Sequence, residues 1–145
     1  MKIPRAVSSR KALLDRFGGG EYRALSAGIA SGGEIHPFAV QTLRDNGLPV
    51  SNLKAKPSTD FLETKSPAID DVTTVCGQPD ESVLRAFPNK AKWAFWNISD
   101  PQQERGGEHL RRYAFRRAFR ELENRIRLFV LVNRHRRTKT AQEVA

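Results

Sequence analysis

Residues 70–76, DDVTTVC, place Val72, Thr73, Thr74 and Val75 in succession behind a pair of aspartates. β-Branched side chains fit a pleated, half-buried surface, so this run is the strongest strand signal in the chain. A second run lies at 91–96, AKWAFW, whose aromatic residues predict burial. Helical patterns flank both runs. Strands interleaved with helices predict a parallel sheet covered on its faces.

Upstream, SRKALLDR at 9–16 reads as a short helix stopped by Gly18-Gly19-Gly20, with Ser8 or Ser9 as its cap. Tyr22, Ala24 and Ser26 alternate with Arg23, Leu25 and Ala27, which predicts a strand over Tyr22–Ala27. GIASGGE then reads as a loop. HPFAVQTLRDN at 36–46 predicts a helix with Pro37 in its first turn and Asn46-Gly47 as its stop. A loop bearing Pro and Lys follows, with a short helix near Ser58–Glu63.

Downstream, Gly106-Gly107 opens a long helix over 108–132. Leu110, Ala114, Ala118, Leu122, Ile126 and Phe129 recur at helical spacing, with Phe115 and Phe119 beside them. Arg111, Arg112, Arg116, Arg120 and Arg127 fall largely on other faces. The polar, basic tail from Asn133 is expected to fray. The organisation expected is one domain over 1–132 and a tail over 133–145.

The 145 residues suit one domain, and 39% of them are hydrophobic, enough to bury a core. The single cysteine forbids an internal disulfide and fits a reducing compartment. One cysteine and three scattered histidines exclude the usual structural zinc sites. The N-terminus has no apolar core of signal-peptide length, and the longest apolar run, Leu128–Val132, is too short to span a bilayer. A cytoplasmic protein with no membrane partner is expected. The net charge of +9 is concentrated: residues 105–139 hold 12 basic and three acidic side chains, while residues 1–104 hold 13 and 12.

Four segments, in order, resemble the thioredoxin-coupled arsenate reductases and the low-molecular-weight tyrosine phosphatases. ALLDRFGGGEYRALSAG at 12–28 is similar to the family's first helix, glycine stop and a strand ending in Ser-Ala-Gly. EIHPFAVQTLRDNGLPVSNLKAKPSTDF at 34–61 is similar to the helix and the Ser-Lys turn that follow. DDVTTVCGQ is similar to the Thr-Val-Cys strand end, and FWNISDP at 95–101 to the Trp-then-Asp-Pro loop. The resemblance runs from about residue 12 to residue 132. It implies a three-layer α/β sandwich with a small parallel sheet, an arsenate or phosphate oxyanion as ligand, no cofactor, and attack on the oxyanion by a cysteine thiolate.

Departures from the pattern bear directly on that chemistry. The family's nucleophile sits in a Cys-x5-Arg loop just before the first helix, whose N–H groups hold the oxyanion. No cysteine lies there, and Cys76 is followed six positions on by Ser82. The chain therefore reads as truncated at its N-terminus or degenerate, lacking or replacing the first central strand. An in-frame Cys-x5-Arg upstream would restore the enzyme reading. Met1–Val7 contains Pro4, Lys2 and Arg5, which fit a central strand poorly. A gap or direct closure of the sheet is expected, and a gap would expose apolar helix faces to another chain. Cys76 falls at the family's first redox cysteine, but Leu84 falls near the second, so thioredoxin-linked relay is not expected.

Asp100 matches the family's general-acid position, although Asp-Pro-Gln-Gln is also a good turn. Cys76 is the candidate redox thiol, against the commoner role of a small buried hydrophobe. Ser8, Ser9 and Arg10 echo an anion-holding loop end, against an ordinary cap. His36 reads as a cap or packing residue, and Trp93 and Trp96 as packing residues. The alternative function is a non-enzymatic module that uses the arginine-rich helix, with nucleic acid as its partner. The apolar stripe of a docked helix and the lack of a reader motif leave that alternative second.

Overall fold

The structure, a computed structural model, describes residues 7–23, 35–50, 69–75 and 91–143. In order these form α1 (Val7–Phe17), α2 (Pro37–Asp45), β1 (Asp71–Thr74), β2 (Lys92–Phe95), a 3-10 turn (Pro101–Gln103) and α3 (Glu108–Glu143). β1 and β2 pair in parallel, with Asp71 opposite Lys92 and Thr74 opposite Phe95. Antiparallel strands can be joined by a tight turn, whereas a parallel pair needs a long crossover. The chain from 76 to 90 supplies that length.

α1 stops at its glycines for a steric reason. The Gly18 amide bonds to the Leu14 carbonyl at 2.8 Å. A Cβ on Gly18 would stand 2.6 Å from that carbonyl oxygen and 2.7 Å from the Tyr22 ring. α2 ends in a Schellman motif: Leu48 N–H bonds to Leu43 O and Gly47 N–H to Arg44 O, both at 2.9 Å. Gly47 has φ +65°, a left-handed conformation that disfavours a side chain. Leu43 and Leu48, at 1% and 5% exposure, supply the apolar contact that accompanies the motif.

α3 is the spine. Ala118, Phe119, Leu122, Ile126 and Val130 bury against Ala12 and Leu13 of α1, Leu43 of α2, and Val75 and Ile98 beside the sheet. Leu13, Leu43, Leu122 and Ile126 are the largest fully buried side chains. Each contributes roughly 2 kcal/mol relative to its exposed state. Phe129 is half-buried and packs its ring against Tyr22 (5.8 Å) and Trp96 (6.4 Å). Outer contacts reinforce the docking. Arg127 lies over the Phe17 ring at 4.5 Å, and Arg134 Nε reaches Glu21 Oε1 at 3.1 Å.

Several sequence expectations need correction. Leu110 is 52% exposed and does not belong to the buried stripe. Burial in α3 begins only one turn later, at Ala114 and Phe115. Phe95 is 46% exposed, because it shares with Trp93 the β2 face opposite Trp96. The tail does not lose its helix at Asn133: α3 continues to Glu143. α1 also opens at Val7, so Ser8 and Ser9 sit inside its first turn. Arg23 and Tyr22 are irregular. The rest of the expected strand over Tyr22–Ala27, the helix near Ser58–Glu63 and residues 1–6 lie outside the described residues.

Candidate functional site

Open parallel sheets bind ligands outside the carboxyl ends of their strands. Here that edge is built by Thr74 and Val75 after β1, and by Trp96 to Asp100 after β2. Trp96 N–H continues the ladder to Thr74 O at 2.9 Å. A regular parallel ladder would send the next amide on to position 76. Instead Ile98 N–H reaches back to Val75 O at 2.7 Å. Two residues after β2 thus answer to one after β1, which is a bulge. Asn97 absorbs the extra residue with φ 48°, the one positive φ among the described residues other than glycine. Asn tolerates this region because its short side chain can satisfy local polar groups.

The bulge redirects the chain into Ser99 and Asp100. Asp100 caps the 3-10 turn: its Oδ1 accepts from Gln102 N–H at 2.9 Å and its Oδ2 from Gln103 Nε2 at 3.2 Å. The carboxylate is therefore held within its own turn, with Pro101 buried beneath it. Thr74 Oγ1 is buried and has no hydrogen-bond partner among the described residues. Val75 and Ile98, at 4% and 3% exposure, close the floor.

His36 serves as the cap of α2. Its Nδ1 accepts from Phe38 N–H at 3.1 Å, and its ring stacks on Phe115 at 4.6 Å. Phe38 meets Phe115 edge-on and carries the Arg112 guanidinium over its face at 4.6 Å. This cluster fixes α2 to the first turns of α3. Trp96 packs against the core, and Trp93 stacks on Phe95 at 6.4 Å.

Ser8, Ser9 and Arg10 lie in the first turn of α1, away in sequence from the sheet edge. Cys76, Ser82 and Leu84 lie outside the described residues. Among the described residues no three His, Cys, Asp or Glu side chains come together as a metal site would require. Among them, too, no helix is long and apolar enough to cross a membrane. What the sequence pattern did not reveal is the bulge at Asn97, since Asn in a loop carries no distinctive signal. Nor did it reveal the exposed apolar residues of α3, of which the expected stripe includes only Leu110.

Comparison with known proteins agrees with this fold. No protein-family model matches the chain. An arsenate reductase of Halalkalibacterium halodurans is 29% identical over 114 residues, covering 79% of this chain and 78% of the relative. The crystal structure of an arsenate reductase from Archaeoglobus fulgidus superposes with a TM-score of 0.63 at 21% identity, covering 88% of this chain and 91% of that one. A second arsenate reductase, in its reduced state, gives 0.58 at 17% identity, covering 86% of each chain. The resemblance carried by the four sequence segments is thereby borne out. The chain shares the α/β fold of these arsenate reductases.

Proposed function

We propose that this chain is an arsenate-reductase-like domain that lacks thiolate catalysis of its own. The observation that carries this is the cysteine inventory. Residues 1–145 contain one cysteine, Cys76, and no Cys-x5-Arg. The ligand class that comes with the kinship is a tetrahedral oxyanion, arsenate or phosphate. Without the nucleophile, neither the thiol–arsenate adduct nor a phosphocysteine can form, and the rate enhancement of such a mechanism goes with it. Without a second redox cysteine at Leu84, Cys76 cannot pass an intramolecular disulfide to thioredoxin. Asp100 keeps the place of the general acid, and its bonds to Gln102 and Gln103 support a turn-capping role here.

The test has two arms. Purified protein is given p-nitrophenyl phosphate, or arsenate with a thioredoxin-reducing system. No turnover above background is expected, and turnover abolished by Cys76→Ser would sink the proposal. Millimolar arsenate or phosphate should raise Tm by a measurable degree if the oxyanion end is retained. An unchanged Tm in both anions would remove the oxyanion from the proposal.

A further inference from the structure

The turn that ends α2 is an Asn-Gly pair, and Asn46 is the one asparagine in residues 1–145 that glycine follows. Asparagine in this setting can modify itself. The backbone nitrogen of the next residue attacks the side-chain carboxamide carbon, a C–N bond forms, and ammonia leaves. The cyclic imide takes up water at either carbonyl. It opens to aspartate, or to isoaspartate, in which the main chain runs through the side chain. Glycine favours the first step because no Cβ crowds its nitrogen. Water is the only co-reactant.

Both reacting groups are held by hydrogen bonds. Gly47 N–H donates to Arg44 O at 2.9 Å, and Asn46 Nδ2 donates to Thr42 O at 2.7 Å. Asn46 sits at φ −97° and ψ 11°. Ring closure needs rotation about its Cα–C bond away from this ψ, so that the Gly47 nitrogen can reach the carboxamide carbon. The closed cap is therefore unreactive, and reaction passes through its opening. Asn46 and Gly47 are exposed, and so is the bond from Arg16 Nη2 to the Gly47 carbonyl. Opening this surface turn uncovers little, so it needs far less free energy than global unfolding.

The products do not fit the cap. Isoaspartate adds a methylene to the main chain ahead of Gly47, so the Gly47 and Leu48 amides no longer reach Arg44 O and Leu43 O together. In either product a carboxylate replaces the Nδ2 donor that faces the Thr42 carbonyl. That charge stands at the negative end of the α2 dipole and next to Asp45. Leu48, 5% exposed, enters the core directly from this turn.

We infer that Asn46-Gly47 is a site of spontaneous deamidation, and that its conversion irreversibly undoes the cap that seats the end of α2 against α1 and the core. The inference does not rest on the proposed function.

Full-length protein is aged at physiological temperature in neutral and in mildly alkaline buffer. Peptide mapping by mass spectrometry, with methylation by protein isoaspartyl methyltransferase, should locate isoaspartate at position 46, formed faster in the alkaline buffer. Conversion of the chain unfolded in urea should be at least about tenfold faster. Arg16→Ala loosens the turn and should speed conversion of the folded protein severalfold, whereas Leu122→Ala, which lowers global stability, should leave it nearly unchanged. Aged protein separated by ion exchange should melt below the parent and exchange its Leu48 amide faster. Asn46→Gln should keep its Tm through the same ageing. The inference is overturned by equal rates in folded and unfolded chains, or by no isoaspartate in the folded chain after many times the period that converts the unfolded one. Conversion that follows Leu122→Ala and not Arg16→Ala would also overturn it, as would aged protein with the parent's Tm and Leu48 protection.

Discussion

The amide of Ile98 donates to the carbonyl of Val75 at 2.7 Å, one residue short of the partner that a regular parallel ladder would assign. The slip is possible because Asn97 between them takes φ 48°. It turns the chain at the carboxyl edge of the sheet and delivers Asp100 to its capping position. The shape of the candidate site thus depends on one left-handed residue.

Replacing that residue tests this dependence. Asn97→Val puts a β-branched side chain into the left-handed region and should destabilise the protein by roughly 2 kcal/mol. Asn97→Gly should change stability by less than about 0.5 kcal/mol, since glycine enters this region freely. Urea denaturation distinguishes the two. Equal losses would mean that the Asn side chain, and not the backbone conformation, holds the bulge.

The two faces of α3 should respond differently to truncation. Leu122→Ala removes a side chain at 1% exposure and should cost about 3 kcal/mol. Leu110→Ala, in dilute protein, should fall within about 0.5 kcal/mol of the parent. A large loss at Leu110 in dilute solution would return that residue to the core.

Gly47→Ala should be destabilising by about 1 kcal/mol, because φ +65° is retained by the Schellman bonds to Arg44 and Leu43. Arg16 Nη2 also donates to the Gly47 carbonyl at 2.9 Å, which ties the ends of α1 and α2 together. Thermal melts of Gly47→Ala and Arg16→Ala check this, the exposed arginine bond being expected to matter less.

Asp100→Ala removes the cap of the 3-10 turn and should lower stability by roughly 1 kcal/mol. Asp100→Asn keeps an acceptor for the Gln102 amide and should recover most of the loss. Stability equal to the parent in both variants would show that Asp100 is not needed for the turn.

The basic face of α3 should bind duplex DNA weakly and without sequence preference, with affinity falling steeply as salt rises. Part of its charge is already engaged: Arg112 pairs with Glu108 at 2.7 Å and Arg127 with Glu123 at 2.9 Å. Tight, sequence-selective binding at physiological salt in a gel-shift titration would contradict this.

Elements with local signals were legible in the sequence. Asn46-Gly47 announced the end of α2, Gly18 the end of α1, and the β-branched run the first described strand. All three depend on the conformational limits of a few neighbouring residues. Leu110 was misplaced because helical spacing identifies a stripe without saying where along a helix its partners end. Phe95 was misplaced because aromatic content does not distinguish the two faces of a strand. The bulge was invisible because it is a relation between two strand ends that lie more than twenty residues apart.

α3 also sets the order in which the chain can acquire its core during synthesis. Leu13 of α1 and Leu43 of α2 are buried together with Leu122 and Ile126, which come from the last third of the polypeptide. At roughly 5–20 residues per second, several seconds separate the first appearance of α1 from that of its main packing partner. Throughout that interval the apolar sides of α1 and α2 have no α3 to cover them. A nascent chain stopped before residue 108 would therefore carry exposed hydrophobic helix faces, making arrested synthesis a direct source of chaperone-binding or aggregating species.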